Sequence, residues 1–253
     1  MTKTRNHFSY NSDEIIKIEH LKKSFDKFEV LKDINLSMKK GDNIAIIGQS
    51  GIGKSVLIKC MVRLIEPDEG SIKILGENIE KLDSERLNIV RREIGFLFQG
   101  SALYDSMTVR ENLEFPIVRN HVTKDKNEIN ELIFEALDNV NLREAIDKMP
   151  SELSGGMKKR IGLARTLIMK PQIILYDEPT TGLDPITSKD ISNLILSIRK
   201  KYKTTSLVIT HDISCVRVTA NKIFVLKDGI FYTSGTYEEL VKSNDPWINK
   251  FFN

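Results

Sequence analysis

The fold of this chain is decided by one stretch, Gly48-Gln49-Ser50-Gly51-Ile52-Gly53-Lys54-Ser55. It fits the phosphate-loop pattern G-x-x-x-x-G-K-[ST] at every fixed position. The apolar run Ile44 to Ile47 before it predicts a buried strand, and the run Val56 to Met61 after it predicts a helix. Strand, glycine-rich loop and helix follow one another in the order that a phosphate-binding α/β unit requires.

The residue types of this loop suit a phosphate chain. Glycines lack the Cβ that would block the backbone, so successive N–H groups can surround a β-phosphate, and the following helix adds positive charge at its N-terminus. Lys54 can reach the β- and γ-phosphates, and the Ser55 hydroxyl is the kind of oxygen ligand that Mg²⁺ prefers. The alternative is a glycine-rich turn with a chance lysine, which the flanking strand and helix disfavour.

The composition is that of an ordinary globular chain. Its 253 residues are 40% hydrophobic and 29% charged, enough for a large α/β core with a smaller lobe. A net charge of +3 gives no reason to expect nucleic acid binding. Cys60 and Cys215 lie in apolar segments without metal-ligand spacing, which predicts buried free thiols in a reducing compartment. Because no apolar run approaches the roughly 18 residues of a membrane span, we expect a cytoplasmic protein that meets membranes through partners.

Three parts are predicted along the chain. Residues 1–13 are polar and are expected to form a flexible N-terminal arm. Residues 14–236 form the main domain, with an antiparallel β lobe near its start and a helical lobe at about residues 100–165. Residues 237–253 form a C-terminal extension that reads as a short helix followed by aromatic residues. These aromatic residues require burial, either on the chain's own core or on a neighbouring subunit.

Aromatic and polar side chains near strand ends are further candidates. Phe25 and Phe28 lie in the predicted turn between the first two strands, where they either stack on a nucleotide base or cover the sheet edge. Gln99 ends the apolar strand Ile94 to Phe98, at the edge where sheets present ligand-binding groups.

A second glycine-flanked helix start occurs at Leu153-Ser154-Gly155-Gly156-Met157. Ser154 is a suitable N-cap, and its hydroxyl together with free backbone N–H groups would bind an anion. Taken alone, such a motif is more often a plain loop. The basic trio that follows, Lys158, Lys159 and Arg160, is expected to form a solvated helix face.

Two further buried strands end in polar residues. Asp177 and Glu178 follow the apolar run Ile173 to Tyr176, where a carboxylate fits Mg²⁺ bound at a phosphate loop. We assign Asp177 to the ion and Glu178 to an attacking water, with an acidic turn as the alternative. His211 follows the strand Thr205 to Thr210 and is assigned to the γ-phosphate.

Taken together, these motifs resemble the ATP-binding cassette family in content, order and spacing, over roughly residues 15 to 240. Their specificity comes from the set, because Leu153 to Gly156 adds to the phosphate loop a signature that other phosphate-loop families lack. The resemblance implies an α/β fold of the phosphate-loop NTPase class, with a RecA-like core, an antiparallel β lobe and a helical lobe. It also implies ATP and Mg²⁺ as ligands, and hydrolysis of ATP at sites shared within a homodimer.

The resemblance gives each matched residue a role. Phe25 would stack on adenine, with Phe28 as the fallback. Gln99 would contact the γ-phosphate and Mg²⁺, and Ser55 and Asp177 would hold the ion. Glu178 would be the general base, with His211 on the γ-phosphate. The remaining nucleotide contacts would come from Gly48, Gln49, Ser50, Gly51, Ile52, Gly53, Lys54 and Val56, and from Ser154, Gly155 and Gly156 of the other subunit.

Two departures from the family pattern indicate a subgroup of the family. Met157 stands where glutamine is most frequent, and Val56 stands where threonine is common. With the stretch from Phe96 to Asn112, they resemble the ATPases of Mla/Mce-type phospholipid transporters. That subgroup implies an integral membrane permease of the MlaE type, an Mce-domain substrate-binding subunit, no nucleic acid partner, and a peripheral location on the cytoplasmic face of the inner membrane.

By the same analogy, an apolar surface around Leu103, Tyr104 and Met107 would face the permease, with local packing of the helical lobe as the alternative. Other functions remain open at this point: an ABC importer or exporter for another substrate, a soluble ABC ATPase, or a regulatory subunit that binds ATP without cleaving it. Glu178 argues against the last of these, because a degenerate site would lack the base.

Overall fold

The computed structural model describes residues 13–252 of the chain. The predicted N-terminal arm, residues 1–13, therefore lies almost entirely outside the described residues. The strands are β1 (Glu14–Phe25), β2 (Phe28–Lys39), β3 (Asn43–Ile47), β4 (Glu69–Ile74), β5 (Glu77–Asn78), β6 (Ile94–Leu97), β7 (Ile173–Asp177), β8 (Thr205–Ile209), β9 (Lys222–Lys227) and β10 (Ile230–Gly235). The helices are α1 (Lys54–Met61), α2 (Ser84–Arg92), α3 (Val109–Arg119), α4 (Lys126–Asp138), α5 (Gly155–Leu167), α6 (Pro185–Tyr202), α7 (Ile213–Thr219), α8 (Tyr237–Val241) and α9 (Pro246–Phe252).

One sheet runs through the molecule in the order β5-β4-β1-β2-β10-β9-β3-β8-β7-β6. Its first four strands pair antiparallel and form the β lobe. Strands β9, β3, β8, β7 and β6 are parallel and form the core. Because the carboxyl ends of parallel strands share one edge, the residues that follow β3, β6, β7 and β8 converge there. This confirms the predicted fold class.

The central strand β3 is buried on both faces, as a parallel strand covered by helices should be. Ile44 and Ile46 join a hydrophobic cluster shared with the β lobe, α1 and α2. Ala45 and Ile47 point the other way, into a cluster with α7, α8 and α9. This double burial fixes the strand, and therefore the start of the loop at Gly48.

The helical lobe contains α3, α4 and the N-terminal part of α5. Its core is a third cluster that includes Leu113, Ile133 and Leu137, at the three- and four-residue spacing that predicted helices here. A capping box fixes the start of α3, since Thr108 accepts from the backbone N–H of Glu111 and the Glu111 side chain accepts from that of Thr108. The residue boundaries that we predict for the lobe and for the main domain stay predictions.

The turn predicted around Phe25 and Phe28 is shorter than expected, because Phe25 pairs with Phe28 across the hairpin. This leaves a two-residue turn in which Asp26 has a φ of +53°.

Both cysteines are buried, and burial raises the pKa of Cys60 to about 12 and that of Cys215 to about 11. Such thiols stay protonated and unreactive near neutral pH.

Candidate functional site

The phosphate loop leaves β3 at Gly48 and enters α1 at Lys54. Gly53 caps the helix with a φ of +108°, and a Cβ at this position would lie 2.5 Å from Val30 Cγ1. Glycine is required here for two reasons, because the backbone is left-handed and the loop presses against β2. The N-terminus of α1 therefore faces the loop with no side chain in between, which is the arrangement that binds phosphate.

The Lys54 side chain is buried within this loop. Its ammonium donates to the carbonyl oxygens of Gly48 at 2.9 Å and Gln49 at 3.0 Å, and it lies 3.8 Å from Glu178 Oε1. Burial lowers the pKa of Lys54, while the charges of Glu178 and Asp177 act in the opposite direction. A cation held here at a cost in desolvation is suited to an anion that enters the loop.

Ser55 and Asp177 present oxygen atoms beside the loop. The Ser55 hydroxyl donates to Asp177 Oδ1 at 2.8 Å, and Asp177 lies buried at the end of β7. Burial raises the pKa of Asp177, and the Ser55 hydrogen bond opposes that shift. Within residues 13–252, no cluster of three His, Cys, Asp or Glu side chains could hold a metal ion. The oxygen pair fits Mg²⁺ as a partial ligand set, to be completed by phosphate oxygens and water.

Glu178 is the most densely bonded carboxylate of the site. Its Oε2 accepts from Thr181 Oγ1 at 2.9 Å and from Thr210 Oγ1 at 3.3 Å, and lies 2.9 Å from His211 Nδ1. The residue is 7% exposed and has a φ of +49°, in the left-handed region. The structure thus brings Glu178, His211 and Lys54 together, as the order of strand ends predicts.

Thr181 and Thr210 were missed by reasoning from sequence. Neither carries a charge or belongs to a pattern that singles it out. Thr210 does stand directly before His211 at a strand end. A hydroxyl at that point was the available signal, since buried carboxylates need donors.

Gln99 lies just beyond β6 at the same edge, with an exposed side chain. Among the described residues, no hydrogen bond joins that side chain to Ser55 or Asp177. Its backbone carbonyl instead accepts a hydrogen bond from Lys159 Nζ, which also donates to the Glu178 carbonyl at 3.0 Å. The expectation that Lys158, Lys159 and Arg160 form a solvated face is therefore wrong for Lys159, which is 5% exposed.

The two aromatic candidates lie at the tip of the β1–β2 hairpin. Phe25 is 45% exposed and Phe28 is 70% exposed, and the Lys23 ammonium lies 5.3 Å from the centre of the Phe25 ring. The hairpin is adjacent to the phosphate loop, since Val30 on β2 contacts the Gly53 position. An exposed aromatic ring near the loop suits base stacking, and the assignment of Phe25 to adenine stays a prediction.

The Ser154 motif lies at the N-terminus of α5. Ser154 caps the helix by accepting from the Met157 N–H at 3.3 Å, and both Ser154 and Gly155 are exposed. Gly156 is buried, and a Cβ there would lie 2.6 Å from Thr187 Cγ2. Among the described residues, no hydrogen bond joins this motif to the phosphate loop of its own chain. The motif therefore presents a helix N-terminus to the outside.

A surface groove of about 630 Å³ borders the segment after Gln99. Stacked Phe96 and Phe98 rings, 4.1 Å apart, line it, as do Tyr104 and Phe115, whose ring centres are 5.0 Å apart. Tyr104 is 44% exposed, as predicted. Leu103 differs from the prediction, because it is half-buried and packs against the core of the helical lobe.

The C-terminal aromatic residues pack on the chain's own core. Ile248 of α9 is 1% exposed, Trp247 meets the Tyr232 ring edge to face at 5.5 Å, and Phe252 meets Tyr237 in the same way at 5.6 Å. A hydrogen bond of 2.6 Å from the Tyr232 hydroxyl to Asp245 holds the start of α9. This arrangement agrees with the first of the two readings of the extension.

Comparison with known proteins gives consistent relatives. A protein from Mycobacterium leprae named "Probable ribonucleotide transport ATP-binding protein mkl" is 37% identical over 94% of this chain, which spans 68% of that protein. The Haemophilus influenzae "Intermembrane phospholipid transport system ATP-binding protein MlaF" is 38% identical over 88% of this chain and 84% of its own length. A "Methionine import ATP-binding protein MetN" from Clostridioides difficile is 33% identical over 93% of this chain and 73% of its length. The chain thus spans about two thirds of the length of the mycobacterial relatives.

Solved structures of similar proteins agree with the fold, and one of them contains a bound nucleotide. The dimeric ATP-binding cassette MJ0796, in a post-hydrolysis state bound to ADP and Pi, superposes with a TM-score of 0.80 and 32% identity, over 87% of this chain and 98% of that one. Among residues 13–252, no helix is long and apolar enough to cross a membrane. The family described as "ABC transporter" matches residues 31–181. The phosphate loop, the buried carboxylates and the capped Ser154 helix are all present. The chain therefore belongs to the ABC transporter family, as an ATP-hydrolysing subunit.

Proposed function

We propose that this chain is the ATPase subunit of an Mla/Mce-type phospholipid transporter that maintains the lipid asymmetry of an outer membrane. The observation that carries the proposal is the match to the Haemophilus influenzae phospholipid-transport ATPase, which extends over 88% of this chain and 84% of that protein. The subgroup features Met157 and Val56 point the same way. The chain would act as a homodimer with an integral membrane permease and an Mce-domain subunit, at the cytoplasmic face of the inner membrane.

In this proposal, the loop around Lys54 binds the phosphates of ATP, and the buried ammonium turns from Glu178 and the loop carbonyls towards them. Ser55 and Asp177 would hold Mg²⁺, and Gln99 would be a further ligand. The ion would neutralise charge on the phosphates. Phe25 stacks on the adenine.

Glu178 accepts the proton of the attacking water in this mechanism. Thr181 and Thr210 donate to one of its oxygens and fix the carboxylate plane, and Oε1 stays free of hydroxyl donors. His211, whose Nδ1 lies 2.9 Å from the same Oε2, would contact the γ-phosphate. A general base held in this way typically contributes about 10²- to 10⁴-fold to the rate.

The position of Ser154 supports the proposed homodimer. Its helix N-terminus is exposed and makes its close contacts to Leu183 and Thr187 rather than to its own phosphate loop. A second copy related by twofold symmetry would set each Ser154 helix against the nucleotide of its neighbour, which creates two shared sites. The dimeric state of the related MJ0796 cassette supports this arrangement.

The groove beside Gln99 is the proposed docking site of the permease. Exposed Tyr104 and Phe115 offer apolar contact, and the groove adjoins the segment that carries Gln99. A permease helix seated there would act directly on a residue of the hydrolytic site.

Purification of the tagged chain from membranes, with mass spectrometry of attached subunits and lipids, tests the proposal. We expect an integral membrane subunit and phospholipid to accompany the wild type. Tyr104→Asp should lose that subunit while nucleotide binding stays near normal, because a desolvated charge at an apolar interface costs several kcal/mol. Leu64→Asp is the matched control, since Leu64 is 53% exposed but lies outside the groove.

One other transport function has direct support, an importer of a small solute, since a relative named as a methionine importer is 33% identical. Recovery of an amino acid permease without phospholipid would favour it and would rule out the lipid assignment. Recovery without any membrane subunit would favour a soluble ABC ATPase.

A further inference from the structure

Lys159 is a buried cation that the hydrolytic mechanism above does not use. It lies in the second turn of α5, is 5% exposed, and burial lowers the pKa of its ammonium. Its hydrogen bonds go to two main-chain carbonyls, those of Gln99 and Glu178. Burying an ammonium is costly, so its place in the interior needs a reason.

The two carbonyls belong to equivalent points of neighbouring strands. Strand β6 pairs with β7 in parallel, with Leu97 opposite Tyr176, and each accepting carbonyl lies two residues further on. After each of these two strands, the backbone leaves the sheet through residues with left-handed φ values. Glu178 has a φ of +49°, and Ser101 and Ala102, shortly after Gln99, have φ values of +62° and +48°.

The neighbours of Lys159 on the helix behave differently. Lys158 is half-exposed, and Arg160 donates to the Val140 carbonyl at 3.3 Å and approaches the exposed Asp190 carboxylate at 3.5 Å. Of this trio, Lys159 is the residue that is turned into the site. It is also one and a half turns from Ser154, on the same rigid helix.

We propose that Lys159 is a positioning residue for ATP hydrolysis, which fixes the main chain of Glu178 and of Gln99 with one ammonium group. It connects the helix that begins at Ser154 to the main chain of the residue whose carboxylate would activate water. A shift of α5 within the helical lobe would thus move the Glu178 and Gln99 backbones together. The inference rests on the proposed role of Glu178 and adds to it a residue that acts through the main chain.

The test compares Lys159→Met with the matched control Lys158→Met in the purified full chain. Steady-state phosphate release at saturating Mg-ATP gives kcat, and a separate titration gives the ATP affinity. Because misplacement of a catalytic group by about 1 Å can cost roughly 10²-fold, we expect kcat of Lys159→Met to fall by about 10- to 100-fold. ATP affinity should stay within about threefold, since Lys159 has no hydrogen bond to the phosphate loop among the described residues. Lys158→Met should match the wild type in both.

Two further measurements separate positioning from a general structural role. The first adds Lys159→Met to Glu178→Gln. If Lys159 acts through Glu178, the residual rate should fall by no more than about threefold further, because effects within one catalytic unit are not additive. The second is the thermal unfolding midpoint, which should not follow the loss of rate.

Different outcomes overturn different statements. If Glu178→Gln keeps near wild-type turnover, the role of Glu178 is wrong. If Glu178→Gln is inactive but Lys159→Met turns over within about threefold of wild type, the positioning role is wrong. A Lys159→Met chain that loses ATP affinity and thermal stability in step with its rate, or that multiplies the Glu178→Gln defect in full, would assign Lys159 to general packing.

Discussion

Replacing Glu178 by glutamine removes the proposed base while its surroundings stay nearly unchanged. The amide oxygen can take the position of Oε2 and accept from Thr181 and Thr210 at about the present distances of 2.9 and 3.3 Å. The amide nitrogen then replaces Oε1, which lies 3.8 Å from the Lys54 ammonium. The change is thus confined to the proton acceptor and to one charge.

The expected changes in turnover and in ATP affinity follow from the loss of the proton acceptor and of the negative charge. Without the acceptor, turnover should fall by about 10²- to 10⁴-fold, equivalent to roughly 3 to 5 kcal/mol of barrier. Two unit charges about 4 Å apart attract with about 4 kcal/mol before desolvation, at an effective dielectric constant near 20. Removing that attraction frees Lys54 for phosphate, so the affinity for ATP should be equal or higher.

Phosphate release at saturating Mg-ATP measures turnover, and a titration with Mg-ATP under non-hydrolysing conditions measures affinity. Glu144→Gln makes the same chemical change at an exposed position of the helical lobe and should leave both values as in the wild type. If Glu178→Gln turned over within a few-fold of wild type, the reasoning about the base would be refuted. A large loss of affinity would refute the reasoning about Lys54.

Three further predictions concern binding, assembly and stability. Lys54→Ala should weaken ATP binding by roughly 10- to 100-fold, because a hydrogen bond to a charged group contributes about 1.5 to 3 kcal/mol, and an unchanged titration would contradict this. Forced heterodimers of Lys54→Ala and Ser154→Arg chains should recover part of the activity that each homodimer lacks, because one shared site stays intact. Heterodimers as inactive as the two parent homodimers would argue against shared sites. Truncation after Ser243 removes buried Ile248 and half-buried Trp247, so a loss of about 3 kcal/mol should lower the thermal midpoint by roughly 6 to 12 °C at every protein concentration. A decrease that depends on concentration would instead place the extension at the dimer interface.

Much of the site was predictable because it consists of polar residues at the ends of apolar runs. The run before Gly48 has to be a buried strand, and the runs before Asp177 and His211 are of the same kind. Parallel strands bring their carboxyl ends to one edge, so three separate segments of sequence determine one location.

What could not be predicted depends on the direction of individual side chains. A lysine in a basic trio is normally solvated, and nothing in the sequence reveals that Lys159 faces two carbonyls from distant segments. Leu103 was expected on the surface with Tyr104, yet these adjacent residues send one side chain into the lobe and the other outward, just before a turn from Tyr104 to Met107. Buried Asn112 holds that turn, since it donates to the Tyr104 and Met107 carbonyls at 3.1 and 3.0 Å. These contacts join residues whose relative orientation is set by tertiary packing alone.

The left-handed backbone at Glu178 implies that the carboxylate is preorganised. An ordinary side chain in that region costs roughly 1 to 2 kcal/mol compared with a relaxed conformation, whereas each hydrogen bond to Thr181, Thr210 or Lys159 returns about 1 kcal/mol. The conformation therefore persists because several hydrogen bonds act together. The stabilisation from any one of them is not much larger than the free-energy cost of the left-handed backbone. If Glu178 is the proposed base, movement that breaks two of these contacts at once would let the backbone relax and withdraw the carboxylate, and hydrolysis would slow.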